Sequence, residues 1–568
     1  MSILHIRQRP IKTSPDTFLG LSPFMANILA RREIQSASEL ELKLPRLLKP
    51  TLKGLESAVT LLNDVIESQQ KVVIVGDYDA DGATSTAIMV LVLRAINADV
   101  EYIVPDRFKY GYGLTAKIAD LVQDTYQPHL LITVDNGISS HEGVERAQSY
   151  GMKVIITDHH LTTKQPPKAE AVVNPNQLGC GFPSKALAGV GVAFYILASL
   201  MKLRKQQNKK VASVTQYLDL VALGTYADVA TLDYNNRILI QMGLKQIQSG
   251  QCRAGILALL DVAGRDFSTL SVQDFGFVLG PRLNAAGRMD SMRIGIDCLL
   301  SNDFSEAYAL ARQLQQLNLE RRQVETEMKE EALNALAQIQ LDTTQLPSAL
   351  VLFEPHWHQG VIGIVAGRLK EQFHRPSIVF APDEDGIHIK GSARSVEGIH
   401  IRDMIEKVAE IHPYLVRYFG GHAAAAGLTI EKKYFNEFKS CFEKYVSEVD
   451  PQLLEATIWT DGQLEDKDFN LQTIDDIEAL GPWGQNFPSP VFEGAFDIVN
   501  YRWLKDKHLK LTLKLSSGQQ LDAIAFNAFD KFEFNENKDQ IYLVYTLDKN
   551  EFNGRVNLQL KIKHLYSL

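Results

Sequence analysis

Cysteine is scarce in this chain. The four residues, Cys180, Cys252, Cys298 and Cys441, form no Cys-x-x-Cys pair and show no zinc-ligand spacing. Their scatter argues against a disulfide framework and a zinc site, and makes a reducing cytoplasm the expected compartment. Long hydrophobic runs are missing too. The longest apolar stretch, Gly189–Met201, is too short to span a bilayer, and the opening MSILHIRQRPIKTSP has no apolar core of a signal peptide, so neither membrane insertion nor export is expected. Nor is there an excess of positive charge: Lys and Arg number 59 against 68 Asp and Glu, a formal net charge of -9. A nucleic-acid partner would therefore have to meet a local basic groove rather than a uniformly positive surface.

What is present is a globular composition, 45% hydrophobic and 22% charged over 568 residues, which predicts three or four domains with cores that need no staples. From about Leu55 to Leu200, Val- and Ile-rich runs alternate with helical patterns such as Thr84–Ile96 and Gly143–Tyr150, the rhythm of a parallel α/β sheet. Residues Phe304 to Gln340 carry an apolar stripe at helical spacing and predict one long connecting helix. After Leu346-Pro347 a second, smaller α/β unit follows: strand Ala349–Phe353, a loop with His358-Gln359-Gly360, helix Val361–Glu371, strand Ser377–Ala381, and glycine-bearing turns at Gly391–Ser395 and Phe419–Gly427. From about Thr457 the pattern changes to alternating strands, Phe492–Asn500, Leu509–Leu515, Leu521–Phe526, Gln540–Asp548 and Val556–His564, which fit a small closed barrel of the OB type. The expected domains are a helical N-terminal segment 1–50, an α/β domain 51–302, a connecting helix 303–342, a second α/β domain 343–450 and a barrel domain 451–568.

Chemistry concentrates at the ends of the predicted strands. Val72–Val75 runs into Gly76-Asp77-Tyr78-Asp79-Ala80-Asp81-Gly82, Leu131–Val134 into Asp135-Asn136-Gly137, Val154–Thr157 into Asp158-His159-His160, and Ala171–Val173 into Asn174-Pro175-Asn176. In doubly wound sheets ligands bind beyond the carboxyl ends of the strands, so Asp77, Asp79, Asp135 and His159 should converge. An oxygen-rich set with one or two imidazoles suits Mn²⁺ or Mg²⁺ better than zinc. Two such ions ~3.5–4 Å apart can activate a water and neutralise a leaving oxygen at phosphorus. Any one Asp-Gly or Asp-Asn-Gly sequence is more often an ordinary turn. Three acidic strand ends in succession favour a metal site.

With Asp158-His159-His160 in place, the set resembles the DHH phosphoesterases. Asp77-x-Asp79, Asp135, the Asp-His-His triplet and a fourth acidic motif, Gly224-Thr225-Tyr226-Ala227-Asp228-Val229-Ala230, occur in that family's order. The resemblance implies that Asp77, Asp79, Asp135, His159 and Asp228 are metal ligands, with Asp135 bridging and His160 facing the scissile phosphate. His160, Asp79 and Asp135 are the expected catalytic groups. Many family members place a metal-binding histidine before the Asp-x-Asp pair, whereas this chain has Val72-Val73-Ile74-Val75, which leaves Asp81 or water to complete that coordination sphere.

Gly391-Ser392-Ala393-Arg394-Ser395 and Phe419-Gly420-Gly421-His422-Ala423-Ala424-Ala425-Ala426-Gly427 resemble the family's DHHA1 substrate-binding domain. With Gly280-Pro281-Arg282-Leu283-Asn284-Ala285-Ala286-Gly287-Arg288 and the barrel, they are similar to its branch of single-strand-specific 5′→3′ DNA exonucleases. That branch implies release of 5′-mononucleotides in DNA recombination and repair. Ser392 and Arg394 in a glycine turn can hold a terminal phosphate, and Arg282, in the loop before Asn284, can supply a second contact. Arg107 is placed near the first base, and His422 and His358 are assigned to substrate rather than metal. In the barrel, Tyr501-Arg502-Trp503-Leu504-Lys505 interleaves aromatics with base, which suits single-strand binding by stacking; the bland alternative is a solvated hairpin. The expected partners are single-stranded DNA with a 5′ end, a single-strand-binding protein and a helicase. The rivals are a DHH phosphodiesterase acting on short oligonucleotides and a non-catalytic single-strand-binding scaffold.

Overall fold

The computed structural model describes residues 4–162, 165–342, 346–532, 534–552 and 554–567, without the side chains of 107–108, 338–342, 530–531, 552 and 567. The chain forms two compact units, one of Gln8–Gly287, Ser291–Gln315 and Trp459–Leu568, the other of the residues up to Arg7, Arg288–Asp290 and Gln316–Ile458. Where a helical N-terminal segment was expected, the described residues hold strand β1 (Leu4–Gln8), short 3₁₀ turns and one α-helix, Pro23–Ala30, capped by the Ser22 hydroxyl. Pro10, Pro15, Pro45 and Pro50 interrupt this stretch and keep it from forming longer helices.

The first unit is built on five parallel strands, β2 (Val72–Val75), β3 (Val100–Ile103), β4 (Leu130–Val134), β5 (Lys153–Thr157) and β6 (Ala171–Val173), in the order β3-β2-β4-β5-β6. Every residue of β2 and β4 is buried, which is why these strands read as unbroken apolar runs rather than alternating ones. The chain steps from β2 outward to β3 and then back across to β4, so the ends of β2 and β4 flank a topological switch point. The helix Ala80–Ala95 is almost wholly buried behind it. Its small residues allow that, and Thr84 and Thr86 satisfy their hydroxyls on Ala80 O and Gly82 O, both at 2.8 Å. The longest apolar stretch lies inside the buried helix Gly189–Gln206, and no described helix is long and apolar enough to cross a membrane.

After the short strand β12 (Ala456–Thr460) in the chain, the same unit contains the closed five-stranded barrel of β13 (Phe492–Leu504), β14 (His508–Lys514), β15 (Gln520–Ala525), β16 (Gln540–Phe552) and β17 (Arg555–Ser567), in the order β13-β14-β15-β17-β16. Leu509, Leu511 and Leu513 point inward and alternate with outward Lys510 and Thr512, the period-two pattern read from the sequence.

The second unit carries β7 (Leu350–Phe353), β8 (Ser377–Pro382), β9 (His388–Arg394), β10 (Tyr418–Gly421) and β11 (Ala425–Glu431), in the order β10-β11-β9-β8-β7. The expected turn at Gly391–Ser395 is corrected: through Arg394 this segment is strand β9. Gly391 serves packing there, because a Cβ would lie 2.5 Å from the Phe380 ring. Phe419–Gly427 is a hairpin, β10 and β11 joined through His422. The long helix spans Phe304–Asp342.

Candidate metal centre

Asp77 and Asp79 follow β2, Asp135 follows β4 and the Asp-His-His triplet follows β5, so the parallel register delivers all of them to one sheet edge. His159 stands at the centre. Its Nε2 lies 3.0 Å from Asp135 Oδ1 and 3.8 Å from Asp81 Oδ2, and its Nδ1 lies 3.9 Å from Asp228 Oδ2. Among the described residues, two groups have ligand atoms mutually within 4.8 Å: Asp81, His159 and Asp228, and Asp135, His159 and His160. Asp81, left open with water in the sequence reading, is thus inside the cluster.

Asp77 and Asp79 border that cluster with their carboxylates engaged locally. Asp77 Oδ1 accepts from Tyr78 N at 2.8 Å. Asp79 is the N-cap of helix Ala80–Ala95, and its Oδ1 accepts from Asp81 N and Gly82 N, both at 3.0 Å. Asp81 Oδ1 and Oδ2 accept from Val190 N (2.8 Å) and Gly189 N (2.7 Å), at the start of helix Gly189–Gln206. Asp228 caps the end of helix Leu218–Ala227.

The electrostatics of this edge favour a cation. Burial, then the Asp79 charge, raises Asp77 to about 8 and Asp81 to about 7. Burial and the Asp81 charge hold Asp135 and Asp228 well above the ordinary carboxylate range. Asp135 Oδ1 is buried and accepts no hydrogen bond. Buried like charges this close either keep protons or hold a cation between them. Oxygen-rich donors around one imidazole fit a hard divalent ion, so the residues present suit the group that the sequence implies.

His160 is set apart by Asp158. Burial alone would push Asp158 up, but the His160 hydrogen bond, the charges of both histidines and backbone donors hold it at about 2. Burial would lower His160, yet the Asp158 bond and charge raise it to about 9. Its Nδ1 lies 2.7 Å from Asp158 Oδ1, and its Nε2 lies 3.3 Å from Tyr112 Oη. Asp158, Tyr112 and several amides were not assigned roles from sequence. Asn174 Nδ2 donates to His160 O at 3.0 Å and Asn176 Nδ2 to His159 O at 2.6 Å, so the polar residues after β6 hold the triplet's backbone. Asn284 Oδ1 accepts from Ala80 N at 2.7 Å.

Of the expected substrate contacts in this unit, Arg282 is corrected from a loop to the helix Gly280–Met289, where it is buried and donates through Nη1 to Val278 O at 2.6 Å. Gly280-Pro281 suggests a loop, but the helix runs on directly from a π-helical turn, Phe275–Leu279, a local widening that accommodates a residue with no N–H to donate. Arg107 opens the short helix Arg107–Tyr110, and its side chain is outside the described residues. Tyr501 and Trp503 share a face of β13, with ring centroids 5.2 and 6.4 Å from Phe534, and Trp503 is 6.0 Å from exposed Phe529.

In the second unit, Ser392 and Arg394 lie two apart on β9 and share a face. Arg394 Nη1 donates to Ser392 Oγ at 3.1 Å and to Ala393 O at 2.9 Å, and burial lowers the guanidinium. A Cβ at Gly363, in the first turn of helix Ile362–Phe373, would lie 2.9 Å from Ser392 Oγ and 3.1 Å from Arg394 Nη2. A helix N-terminus, a hydroxyl and a guanidinium thus adjoin, a suitable cradle for an anion. The hairpin bearing His422 is stitched to the end of β9, with Ser395 N donating to Ala424 O at 3.0 Å. His358 Nδ1 accepts from Gly360 N at 3.0 Å and burial lowers its pKa, which leaves a neutral ring with its proton on Nε2.

A parallel sheet with this acid and imidazole edge, a second α/β unit and a five-stranded barrel define a protein of the DHH class. Residues 71–225 match the DHH family N-terminal domain, 346–448 the DHHA1 domain and 460–564 the RecJ OB domain. The chain belongs to the RecJ family. It is 46% identical over 553 residues to the single-stranded-DNA-specific exonuclease RecJ of Haemophilus influenzae, covering 96% of each chain. It is 43% identical to that of Escherichia coli over 575 residues, covering 100% of this chain and 99% of the relative. The crystal structure of RecJ in complex with Mn²⁺ from Thermus thermophilus superposes with a TM-score of 0.83 at 28% identity, over 99% of this chain and 79% of that one.

Proposed function

We propose that this chain is a metal-dependent exonuclease that degrades single-stranded DNA in the 5′→3′ direction to 5′-mononucleotides, in DNA recombination and repair. The observation that carries the reading is the buried carboxylate group around His159, which a divalent cation would neutralise, in a family whose relatives are named single-stranded-DNA-specific exonucleases. Asp77, Asp79, Asp135, His159 and Asp228 are the ligands assigned to two Mn²⁺ or Mg²⁺ ions, with Asp135 shared and Asp81 as a further oxygen donor. When bound, the ions supply Lewis acidity, lowering the pKa of the attacking water and neutralising charge at the phosphate.

The chain's own groups orient the reaction. His160, fixed through Nδ1 by Asp158, is the group assigned to face the scissile phosphate. Arg394 and Ser392 are the residues assigned to the 5′-phosphate. Arg107, Arg282 and His422 contact the strand, and Tyr501 and Trp503 stack bases at ~1–3 kcal/mol each. An enzyme that needs a free single-stranded 5′ end depends on a helicase to expose it and works on strands covered by a single-strand-binding protein, so these are the partner classes. The free, scattered cysteines support a cytoplasmic setting.

A substrate panel with Mn²⁺ tests the reading. Rapid hydrolysis of single-stranded DNA, with slow turnover of short oligoribonucleotides and cyclic dinucleotides, is expected. The reverse order would make the chain a phosphodiesterase of short oligonucleotides, and binding without cleavage would make it a scaffold.

A further inference from the structure

Asp228 sits at a strained corner. The next residue, Val229, is exposed and β-branched yet has φ 59°, a left-handed conformation that costs on the order of 1–3 kcal/mol and persists only where its surroundings enforce it. Inside the turn, Asp228 N donates to Gly224 O at 2.9 Å and Val229 N to Tyr226 O at 3.1 Å. The rest of the support comes from residues 481–488, which lead into the barrel. Tyr226 Oη donates to Trp483 O at 3.1 Å, 257 residues away in sequence. Leu232 N donates to Gln485 O at 2.9 Å, and Asn486 Nδ2 donates to Thr231 Oγ1 at 2.9 Å. The segment therefore grips the corner on both sides of Asp228. Gly484 makes the approach possible, since a Cβ there would lie 2.8 Å from Leu232 Cδ1.

The segment is itself clamped. The rings of Trp483 and Phe487 stack with centroids 4.8 Å apart and planes at 12°. Arg32 lies over Trp483 at 4.9 Å and Arg237 over Phe487 at 4.5 Å. Arg32 also donates to Pro488 O through Nε (2.9 Å) and Nη2 (2.7 Å), and pairs with buried Asp461 at 2.8 Å.

We propose that residues 481–488 are a positioning element for Asp228, so that divalent-metal affinity at the sheet edge depends on the segment that introduces the barrel. This rests on Asp228 being a metal ligand. Trp483 and Asn486 are positioning residues that act through Tyr226, Thr231 and Leu232 on the carboxylate.

The experiment is direct Mn²⁺ binding to the full chain, followed by the electron paramagnetic resonance signal of free Mn²⁺, for Trp483→Ala, Trp483→Phe, Asn486→Gly and Asp228→Ala. Asn486→Gly removes the amide but tolerates the left-handed backbone at φ 57°, and keeps the test open if Trp483→Ala fails to fold. Trp483→Ala and Asn486→Gly should weaken the Mn²⁺ site that Asp228→Ala weakens, by about 10-fold or more, as loss of an outer partner of a metal ligand does. Trp483→Phe, which keeps the stack, should restore it. Binding of single-stranded DNA in chelator should not change, and kcat should recover at saturating Mn²⁺. Folded Trp483→Ala and Asn486→Gly variants with wild-type Mn²⁺ affinity, beside a weakened Asp228→Ala, would overturn the proposal. An Asp228→Ala chain that binds Mn²⁺ normally would instead overturn the ligand assignment on which it rests.

Discussion

Gly189→Ala adds one methyl group and should disable the metal centre from its blind side. A Cβ at Gly189 would lie 2.7 Å from Asp135 Cβ and Oδ1 and 2.9 Å from Asp135 Cγ. That is about 0.7 Å inside ordinary van der Waals contact, and neither partner can yield freely. Asp135 is buried on a positive-φ backbone (φ 62°), and Gly189 N is tied to Asp81 Oδ2 at 2.7 Å. Relief must come from turning the Asp135 carboxylate away from His159 or from backing the helix Gly189–Gln206 off Asp81. Either movement exceeds the ~0.5 Å tolerance of a preorganised site. A misplacement approaching 1 Å costs on the order of 100-fold in rate. The overpacking itself should cost about 1–3 kcal/mol of stability, leaving the chain folded. The assay is release of nucleotides from labelled single-stranded DNA at saturating Mn²⁺, beside circular dichroism. Turnover within threefold of wild type would refute the packing argument.

Asp135→Asn should abolish hydrolysis while raising the melting temperature of the metal-free chain, because burial and the Asp81 charge already disfavour its anion; an unchanged or lower midpoint would contradict this. Asp79→Ala should also abolish hydrolysis, but at a cost of about 1 kcal/mol, because it removes the cap of helix Ala80–Ala95. Asp77 at about 8 and Asp81 at about 7 retain protons in the metal-free chain near neutrality, so ligation must release them. Mn²⁺ affinity should therefore rise with pH through 7 and 8, with proton release seen by calorimetry in buffers of different ionisation enthalpy; a pH-independent affinity would count against it. Arg394→Ala should raise KM for 5′-phosphorylated strands about 10-fold and erase their advantage over 5′-hydroxyl strands, whereas an intact preference would remove Arg394 from the phosphate site.

The catalytic sheet was legible because its information is local: four short buried runs, each ending in polar side chains, specify both the strands and the edge at which they end. The barrel strands were legible for the same reason, through their period-two alternation. What the sequence did not reveal depends on approach between distant segments. In the sequence Asp81 stands only beside water as a candidate ligand, because the amides that hold its carboxylate, Gly189 N and Val190 N, lie more than a hundred residues on. Asp79 reads as a free ligand, although in the fold it also caps its own helix. Gly391 suggested a turn because glycine marks turns more often than it yields space to a ring such as that of Phe380. Arg282 sits in a helical run whose Gly-Pro pair has the look of a loop. The role of residues 481–488 is invisible without Tyr226 and Leu232 beside them.

End-labelling tests most directly whether the metal centre shortens single strands from the 5′ end. The same single-stranded oligonucleotide carrying a 5′ or a 3′ label is digested with Mn²⁺, with duplex as control, and products are resolved over time. The 5′ label should appear as mononucleotide at the earliest times, the 3′ label should persist in a shortening ladder, and duplex should survive. Early release of the 3′ label, or equal loss of duplex, would contradict it.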